Sequence, residues 1–213
     1  MNSSPTTDVS GVLLAGGKSR RMGQDKRFLA IGQETLYARS LAALRSVFER
    51  VMVVIAQDSP PPPIESDALV MRDLIPNCGS LGGLYTGLQR AETEWVFVVA
   101  CDMPFLDPAV IRHFIGVKAE ADVVMAKLQH GLQPMHALYH RNCLPIMEHL
   151  IQARDFKIHQ LAAHPALHVR LVTPEELRHV DPEMRSFCNV NTPADLEAAR
   201  SLHGGASSRR LPE

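Results

Sequence analysis

The chain has 213 residues, of which 46% are hydrophobic and 21% are charged, and it is long enough to bury the core of a globular domain. Its formal net charge of −1 gives no general attraction to nucleic acid or to an anionic membrane, so we expect neither partner. Because the chain has no apolar run near the roughly 20 residues that cross a bilayer, and its first ten residues do not resemble a signal peptide, we expect a cytoplasmic protein.

Apolar runs alternate with helical patterns along the chain. The apolar runs predict strands at 9–14, 51–56, 68–71, 95–100, 122–128, 133–139 and 168–172. The helical patterns predict helices at 36–48, 81–91, 108–117, 142–153, 156–163 and, opening on the cap pair Thr192-Pro193, 193–202. Continuously apolar strands that alternate with helices predict an α/β fold with three layers, α/β/α, around a mostly parallel, Rossmann-like sheet.

This organisation favours a single domain at 1–205 followed by a flexible tail at 206–213. The proline run at 58–63 is interpreted as an extended surface connection between two strands. The four cysteines show no C-x-x-C pair, which favours free thiols and gives no support for a redox or metal protein. His136 and His140 share one face of a predicted strand, where packing or substrate contact is favoured over zinc binding.

The most informative motif lies at 13–26 and reads LLAGGKSRRMGQDK. An apolar strand ends there at a glycine pair, Gly16-Gly17, which allows backbone N–H groups to approach an anion closely. Four cations follow within ten residues: Lys18, Arg20, Arg21 and Lys26. The motif therefore predicts a phosphate-binding loop, although it matches neither the P-loop nor the dinucleotide pattern. The alternative is a tight turn beside a solvated basic face.

Two carboxylates follow predicted strands at the edge where ligands bind in open α/β sheets. Asp102 comes directly after a strongly apolar strand, where Mg²⁺ between its carboxylate and a nucleotide phosphate is favoured over a turn aspartate before Pro104. Asp73 ends the third strand, and it predicts a second metal contact or an acceptor for a base or ribose. Its alternative is a surface pair with Arg72.

A second glycine-rich segment, Gly79-Ser80-Leu81-Gly82-Gly83, is predicted to be a loop before a helix. Its glycines allow a ligand to approach the backbone, and a helix N-terminus favours negative charge. The alternative is a glycine-weakened first turn without a ligand. Two glycine loops and two strand-end carboxylates together predict a nucleotide–Mg²⁺ site.

The chain resembles the molybdenum cofactor guanylyltransferases of the nucleotidyltransferase superfamily over about residues 9–200. Four motifs carry the resemblance, in the family's order and spacing: LLAGGKSRRMGQDK, RDLIPNCGSLGGL, VVACDMPFL and FCNVNTPADL. The first motif and the strand-end aspartate are typical of the superfamily. The letters LAGG, the GxLxG segment and the late NVNTP favour the guanylyl branch.

The resemblance implies that GMP is transferred from GTP to molybdopterin carrying molybdenum, with pyrophosphate as the second product. It also implies GTP binding in the half at about 9–118, pterin binding in the half at about 119–205, Mg²⁺ as cofactor, and molybdopterin-insertion and cofactor-delivery proteins as partners. The implied nucleotide-binding residues are Leu14, Ala15, Gly16, Gly17, Lys26, Asp73, Gly79, Gly83 and Asp102. The implied catalytic residues are Arg20, Lys26 and Asp102, with Asp102 as metal ligand and Asn189 and Asn191 near the pterin.

Three departures and alternatives accompany this resemblance. Ser80 and Gly82 stand where proline and alanine are common, and the second strand ends in Ala56 without the asparagine that some members use to contact nucleotide. The NVNTP motif has the alternative of a turn and helix cap. Rival functions are a nucleotidyltransferase that uses CTP or a sugar phosphate, and a non-catalytic pterin carrier.

Overall fold

The computed structural model describes the backbone of residues 4–16, 25–62 and 68–207, with side chains up to residue 204. The strands are β1 (Val9–Leu14), β2 (Ala30–Ile31), β3 (Glu34–Thr35), β4 (Val51–Ile55), β5 (Leu69–Arg72), β6 (Trp95–Ala100), β7 (Val123–Leu128), β8 (Gly131–His140) and β9 (Val169–Val172). The helices are α1 (Leu36–Arg45), α2 (Gly79–Arg90), α3 (Pro108–Gly116), α4 (Leu144–Gln152), α5 (His159–Ala163), α6 (Pro174–Leu177) and α7 (Pro193–Ser207).

Seven strands form one sheet in the order β5-β4-β1-β6-β8-β7-β9, while β2 and β3 form a separate hairpin. Strand β8 runs antiparallel to its neighbours β6 and β7, and the other pairs in the large sheet are parallel. The prediction of a mostly parallel sheet in a three-layer fold is confirmed.

Both faces of the sheet are buried because successive side chains of a strand point to opposite sides. On β1, Val9 and Leu13 join one apolar cluster, with α1 and α3, whereas Val12 and Leu14 join another, with α2 and α4. This double burial explains why the strands read as continuous apolar runs.

Side chains that follow the parallel strands gather at one edge of the sheet. Backbone hydrogen bonds continue past the strand ends, from Ala15 N to Val54 O (2.8 Å), from Asp73 N to Ile55 O (2.9 Å) and from Cys101 N to Leu14 O (3.1 Å). The segments after β1, β4, β5 and β6 are thereby held side by side.

The second glycine-rich segment differs from its prediction. Helix α2 begins at Gly79, so residues 79–83 form helical turns instead of a loop. The glycines are needed for close packing, because a Cβ at Gly87 would lie 2.7 Å from Val12 Cγ1 and one at Gly83 would lie 3.1 Å from Leu14 Cδ1. Close approach of the helix to β1 therefore outweighs the low helix propensity of glycine.

Other helix ends also differ from the sequence predictions. Helix α1 ends at Arg45 and not at 48, because the chain turns there and Phe48 packs into the core. Helix α7 continues to Ser207, past its predicted end and into the start of the predicted tail. Residues 208–213 lie outside the described residues.

Within the described parts of the chain, no helix is long and apolar enough to cross a membrane.

The two strand histidines have ordinary packing roles. His136 is fully buried, and its ring centroid lies 4.5 Å from that of Phe187 and 5.2 Å from that of Phe97. Burial lowers the pKa of His136 to about 3, so it is neutral. The His140 ring packs against Trp95 at an interplanar angle of 58°, with ring centroids 4.9 Å apart. The described residues include no cluster of three or more His, Cys, Asp or Glu side chains suited to a metal.

Candidate active site

A first cavity of about 160 Å³ lies at the carboxyl ends of β1 and β6. Its walls come from the end of β1, a 3₁₀ turn (Lys26–Phe28) with the residue before it, helix α2, the end of β6 and strand β8. The lining residues are Leu14, Ala15, Gly16, Asp25, Lys26, Arg27, Ser80, Ala100, Cys101, Asp102 and Met135.

Lys26 brings two of the predicted site residues together. Its Nζ donates a hydrogen bond to Asp102 Oδ2 at 3.3 Å and another to Asn191 Oδ1 at 2.7 Å. The side chains of Lys26 and Asp102 are 17% and 21% exposed, so the pair stays open to the cavity and is partly desolvated. A cation and an anion that both face the same small cavity can bind a phosphate and its counter-cation.

A second ion pair in this cavity was not predicted from the sequence. Arg27 is buried, and its Nε lies 3.0 Å from each carboxylate oxygen of Asp25. Burial acts to raise the pKa of Asp25, but the hydrogen bonds from Arg27 hold that pKa below its usual value. Arg27 Nη1 also donates to Pro60 O at 2.9 Å. Arg27 therefore fixes the turn that carries Lys26 and cannot act as a free cation.

The thiol of Cys101 in this cavity is protonated. Burial next to the charge of Asp102 raises the pKa of Cys101 to about 12, so the group is a neutral thiol at physiological pH. All four cysteines are free, as predicted.

The late NVNTP motif approaches the first cavity from the other half of the chain. Val190 N donates to Asp102 O at 2.8 Å, and Asn191 N donates to Asp195 Oδ2 at 2.9 Å. Thr192 Oγ1 accepts from Asp195 N at 3.2 Å, so the motif also caps α7. Asn189 is exposed and donates from Nδ2 to Phe187 O at 3.3 Å, without a described contact to Lys26 or Asp102.

A second cavity, of about 390 Å³, lies on the other side of Gly16, beyond the ends of β4 and β5. Its lining residues are Gly16, Ala56, Gln57, Asp58, Ser59, Asp73, Pro76, Asn77 and Gly79. A Cβ at Gly16 would lie only 2.6 Å from Ala56 N. Glycine is therefore required where the two cavities meet.

The carboxylate of Asp73 differs from the other acidic groups of the site. Within the described residues no hydrogen bond reaches its carboxylate oxygens, and burial raises its pKa to about 6. Arg72 binds elsewhere, since its Nη1 donates to the carbonyls of Ala56 (3.2 Å), Gln57 (2.6 Å) and Ser59 (3.0 Å). The alternative of an Arg72–Asp73 surface pair is wrong, and the carboxylate is left to accept from a ligand.

The glycines of α2 have separate roles. Gly79 lines the second cavity and has a φ of +57°, which favours glycine. Gly83 lines neither cavity, and its lack of a side chain makes room for Leu14 and Asp73. Gly82 leaves room for Cys78, because a Cβ at Gly82 would lie 2.8 Å from Cys78 Cβ. Gly17 and Arg20, with the cations Lys18 and Arg21, lie outside the described residues.

Comparison with known proteins decides the family. The family model described as the MobA-like NTP transferase domain matches residues 11–171. The chain belongs to this family. Molybdenum cofactor guanylyltransferase from Desulfosudis oleivorans is 38% identical over 196 residues, which cover 91% of this chain and 95% of that relative. The protein of the same name from Syntrophotalea carbinolica is 32% identical and covers 90% of each chain.

Solved structures agree with this assignment. Molybdopterin-guanine dinucleotide biosynthesis protein A from Archaeoglobus fulgidus is 26% identical, with a TM-score of 0.77 over 92% of this chain and 99% of that one. A cytidylyltransferase from Thermus thermophilus, at 16% identity and a TM-score of 0.67, covers 96% of this chain and 100% of its own and shares the fold alone. The resemblance found from the four motifs is confirmed, and this MobA-like chain is a nucleotidyltransferase.

Proposed function

We propose that this MobA-like protein transfers GMP from GTP to molybdopterin carrying molybdenum, forming the guanine dinucleotide cofactor and pyrophosphate. The observation that carries the proposal is the contact of Lys26 with both Asp102 and Asn191 in the first cavity. This contact joins the strand-end carboxylate of the nucleotide half to the late asparagine motif of the other half. Relatives named molybdenum cofactor guanylyltransferase support the choice of substrates.

The triphosphate is assigned to the first cavity and the guanosine to the second. Leu14, Ala15 and Gly16 line the first cavity next to Lys26, which supplies positive charge to the phosphates. Gly17 and Arg20 are assigned to the same phosphates by resemblance. Because a carboxylate accepts but does not donate hydrogen bonds, Asp73 is suited to the N–H groups of guanine or to a ribose hydroxyl, with Gly79 beside it.

Asp102 is the residue suited to hold Mg²⁺. Mg²⁺ is usually bound by one or two carboxylates together with substrate phosphates and water. Asp102 supplies one such carboxylate, whereas Asp25 is occupied by Arg27. A Mg²⁺ ion held there would neutralise charge on the phosphate oxygens.

The reaction is an in-line displacement at the α-phosphorus of GTP. The terminal phosphate of molybdopterin forms the new P–O bond, and the bond from the α-phosphorus to pyrophosphate breaks. A phosphate monoester is already anionic at neutral pH, so a general base is not required. Lys26 orients the phosphates and offsets the charge that moves to pyrophosphate, and Arg20 is assigned the same role by resemblance.

The second substrate is assigned to the late asparagine motif. Asn189 is exposed and lies two residues before Asn191, which contacts Lys26, so its amide is available to hydrogen-bond a pterin ring. The assignment of the pterin to the half at 119–205, and of insertion and delivery proteins as partners, belongs to the same proposal.

The decisive assay incubates the protein and Mg²⁺ with molybdopterin and each of the four nucleoside triphosphates, and measures dinucleotide and pyrophosphate. Of the four triphosphates, we expect only GTP to give the dinucleotide and pyrophosphate. Asp102→Asn is expected to lower the rate about 100-fold or more, since a metal contact contributes several kcal/mol to such a step. The matched control is Glu92→Gln, because Glu92 is an exposed carboxylate paired with Arg50. This substitution should leave the rate unchanged. Product with CTP instead, or pterin binding without pyrophosphate release, contradicts the proposal.

A further inference from the structure

The ammonium group of Lys26 has acceptors from two distant parts of the chain. Asp102 belongs to the segment after β6, and Asn191 belongs to the segment before α7. The contact with Asn191 Oδ1, at 2.7 Å, is shorter than the contact with Asp102 Oδ2, at 3.3 Å. The neutral amide is therefore the closer of these two partners.

The backbone around Asn191 is fixed without help from its side chain. Asn191 N donates to Asp195 Oδ2 at 2.9 Å, and Thr192 N donates to the same oxygen at 2.8 Å. On the other side, Val190 N donates to Asp102 O at 2.8 Å. These contacts fix the backbone that carries the amide side chain, and removal of the side chain leaves them intact.

An amide acceptor suits a lysine that must bind phosphate. Lysine carries its charge on a flexible four-carbon stem, so an unrestrained ammonium loses entropy when it binds. Lys26 already contacts the Asp102 carboxylate, and a second carboxylate would cancel more of its charge, whereas an amide oxygen restrains the ammonium without further loss of charge. Asn191 therefore preorganises Lys26 at little electrostatic cost.

We propose that Asn191 is a positioning residue for Lys26, and that it contributes to GTP binding before the pterin arrives. This inference rests on the proposed function, because it takes the ligand of Lys26 to be the triphosphate. It gives the late asparagine motif a role in the nucleotide half that is separate from pterin contact, and it distinguishes Asn191 from Asn189.

The first test is GTP binding with Mg²⁺ and without pterin, measured by calorimetry. We expect Asn191→Ala to bind GTP roughly 3- to 10-fold more weakly, as for a partly exposed hydrogen bond to a charged group. Asn191→Leu keeps the size of the side chain but lacks the acceptor, so it should weaken GTP binding to the same extent. Gln152→Ala, which removes an exposed amide on α4 that lines neither cavity, is the matched control and should bind GTP as the wild type does. Unchanged GTP binding in both Asn191 variants overturns the inference.

A double-mutant cycle separates positioning from a structural effect. In a Lys26→Ala background, Asn191→Ala should cause no further loss of GTP affinity, because the lysine that it orients is gone. The same loss in both backgrounds overturns the inference and indicates a structural role, and thermal unfolding checks that each variant is folded. Failure of the wild type to bind GTP, or unchanged GTP binding in Lys26→Ala, contradicts the proposed function itself.

Discussion

The two cavities on either side of Gly16 differ in how their charges are compensated. In the first, Lys26 contacts Asp102 and Arg27 holds Asp25, so each of these charges has a partner of opposite sign. In the second, the carboxylate of Asp73 has no described donor, and its pKa rises to about 6. This difference is the basis for proposing a highly charged ligand in the first cavity and a neutral group that donates hydrogen bonds in the second.

This difference arises from the segments that leave the carboxyl ends of the strands. The segments after β1 and β6 carry charged side chains that pair with each other. The segment after β4 instead presents carbonyl groups that accept hydrogen bonds from Arg72. Inorganic tripolyphosphate, which lacks base and ribose, is a probe of the first cavity alone. Comparing it with GTP assigns the effect of a substitution to one cavity or to both.

The largest expected effect comes from the residue that both cavities share. Gly16→Ala places a methyl group 2.6 Å from the backbone nitrogen of Ala56, so the ends of β1 and β4 must separate. We expect a loss of about 1–3 kcal/mol in the free energy of unfolding, as for overpacking, and about a 100-fold lower transfer rate. Both GTP and tripolyphosphate should bind more weakly.

Gly116→Ala is the matched control for this change. A Cβ at Gly116, at the end of α3, has no atom within 4 Å, and binding should be unaffected. If Gly16→Ala weakened GTP binding but not tripolyphosphate binding, the view of Gly16 as a wall of both cavities would be wrong.

A smaller, pH-dependent effect is expected at Asp73. Its carboxylate accepts hydrogen bonds fully only when ionised, and with a pKa of about 6 the ionised fraction falls about tenfold between pH 7 and pH 5. GTP affinity should fall with it, beyond any change caused by the triphosphate itself. Asp73→Asn should retain only the change due to the triphosphate, and calorimetry at both pH values measures the difference.

The stability of the free protein should change in the opposite direction. Burial raises the pKa of Asp73 in the folded state above its unfolded value of 3.8, so the folded state takes up the proton first. The contribution of Asp73 to stability therefore increases as the pH falls from about 6 to about 4. Thermal unfolding of the wild type and Asp73→Asn, compared across this window, measures it. If GTP affinity and stability both rose or both fell as the pH is lowered, the interpretation of Asp73 as a hydrogen-bond acceptor for GTP would be wrong.

The sequence predicted the strands that carry the site better than the contacts within it. Strands β1 and β6 have their predicted bounds, because continuous apolar runs end there at Ala15-Gly16 and at Cys101-Asp102. The start of α2 was missed, since glycine propensity argues against helix and the packing on β1 that favours it is a tertiary contact.

Long-range pairing explains the remaining differences. The contact of Lys26 with Asn191 spans 165 positions, and no local pattern predicts it. The burial of Arg27 was also not predicted, because a cation directly after a basic motif is expected to face a ligand or solvent. The residue types of the site could be predicted from the sequence, and their partners could not.

The smallest expected effect concerns the wall of the second cavity. Arg72→Ala removes the guanidinium that binds the carbonyls of Ala56, Gln57 and Ser59, so this segment loses its restraint from outside. Because these hydrogen bonds are exposed, we expect GTP to bind only about threefold more weakly, with kcat unchanged. Tripolyphosphate should bind as in the wild type, since the first cavity is untouched.

Arg50→Ala is the matched control for Arg72→Ala, because Arg50 is also exposed and binds Glu92 and the Thr7 carbonyl, which do not line either cavity. GTP and tripolyphosphate should bind this variant as they bind the wild type. Equal weakening of both ligands by Arg72→Ala would mean that the segment after β4 also shapes the first cavity. The two cavities would then form one continuous phosphate site, and Asp73 would need a different ligand from the base, because a carboxylate without a cation repels phosphate.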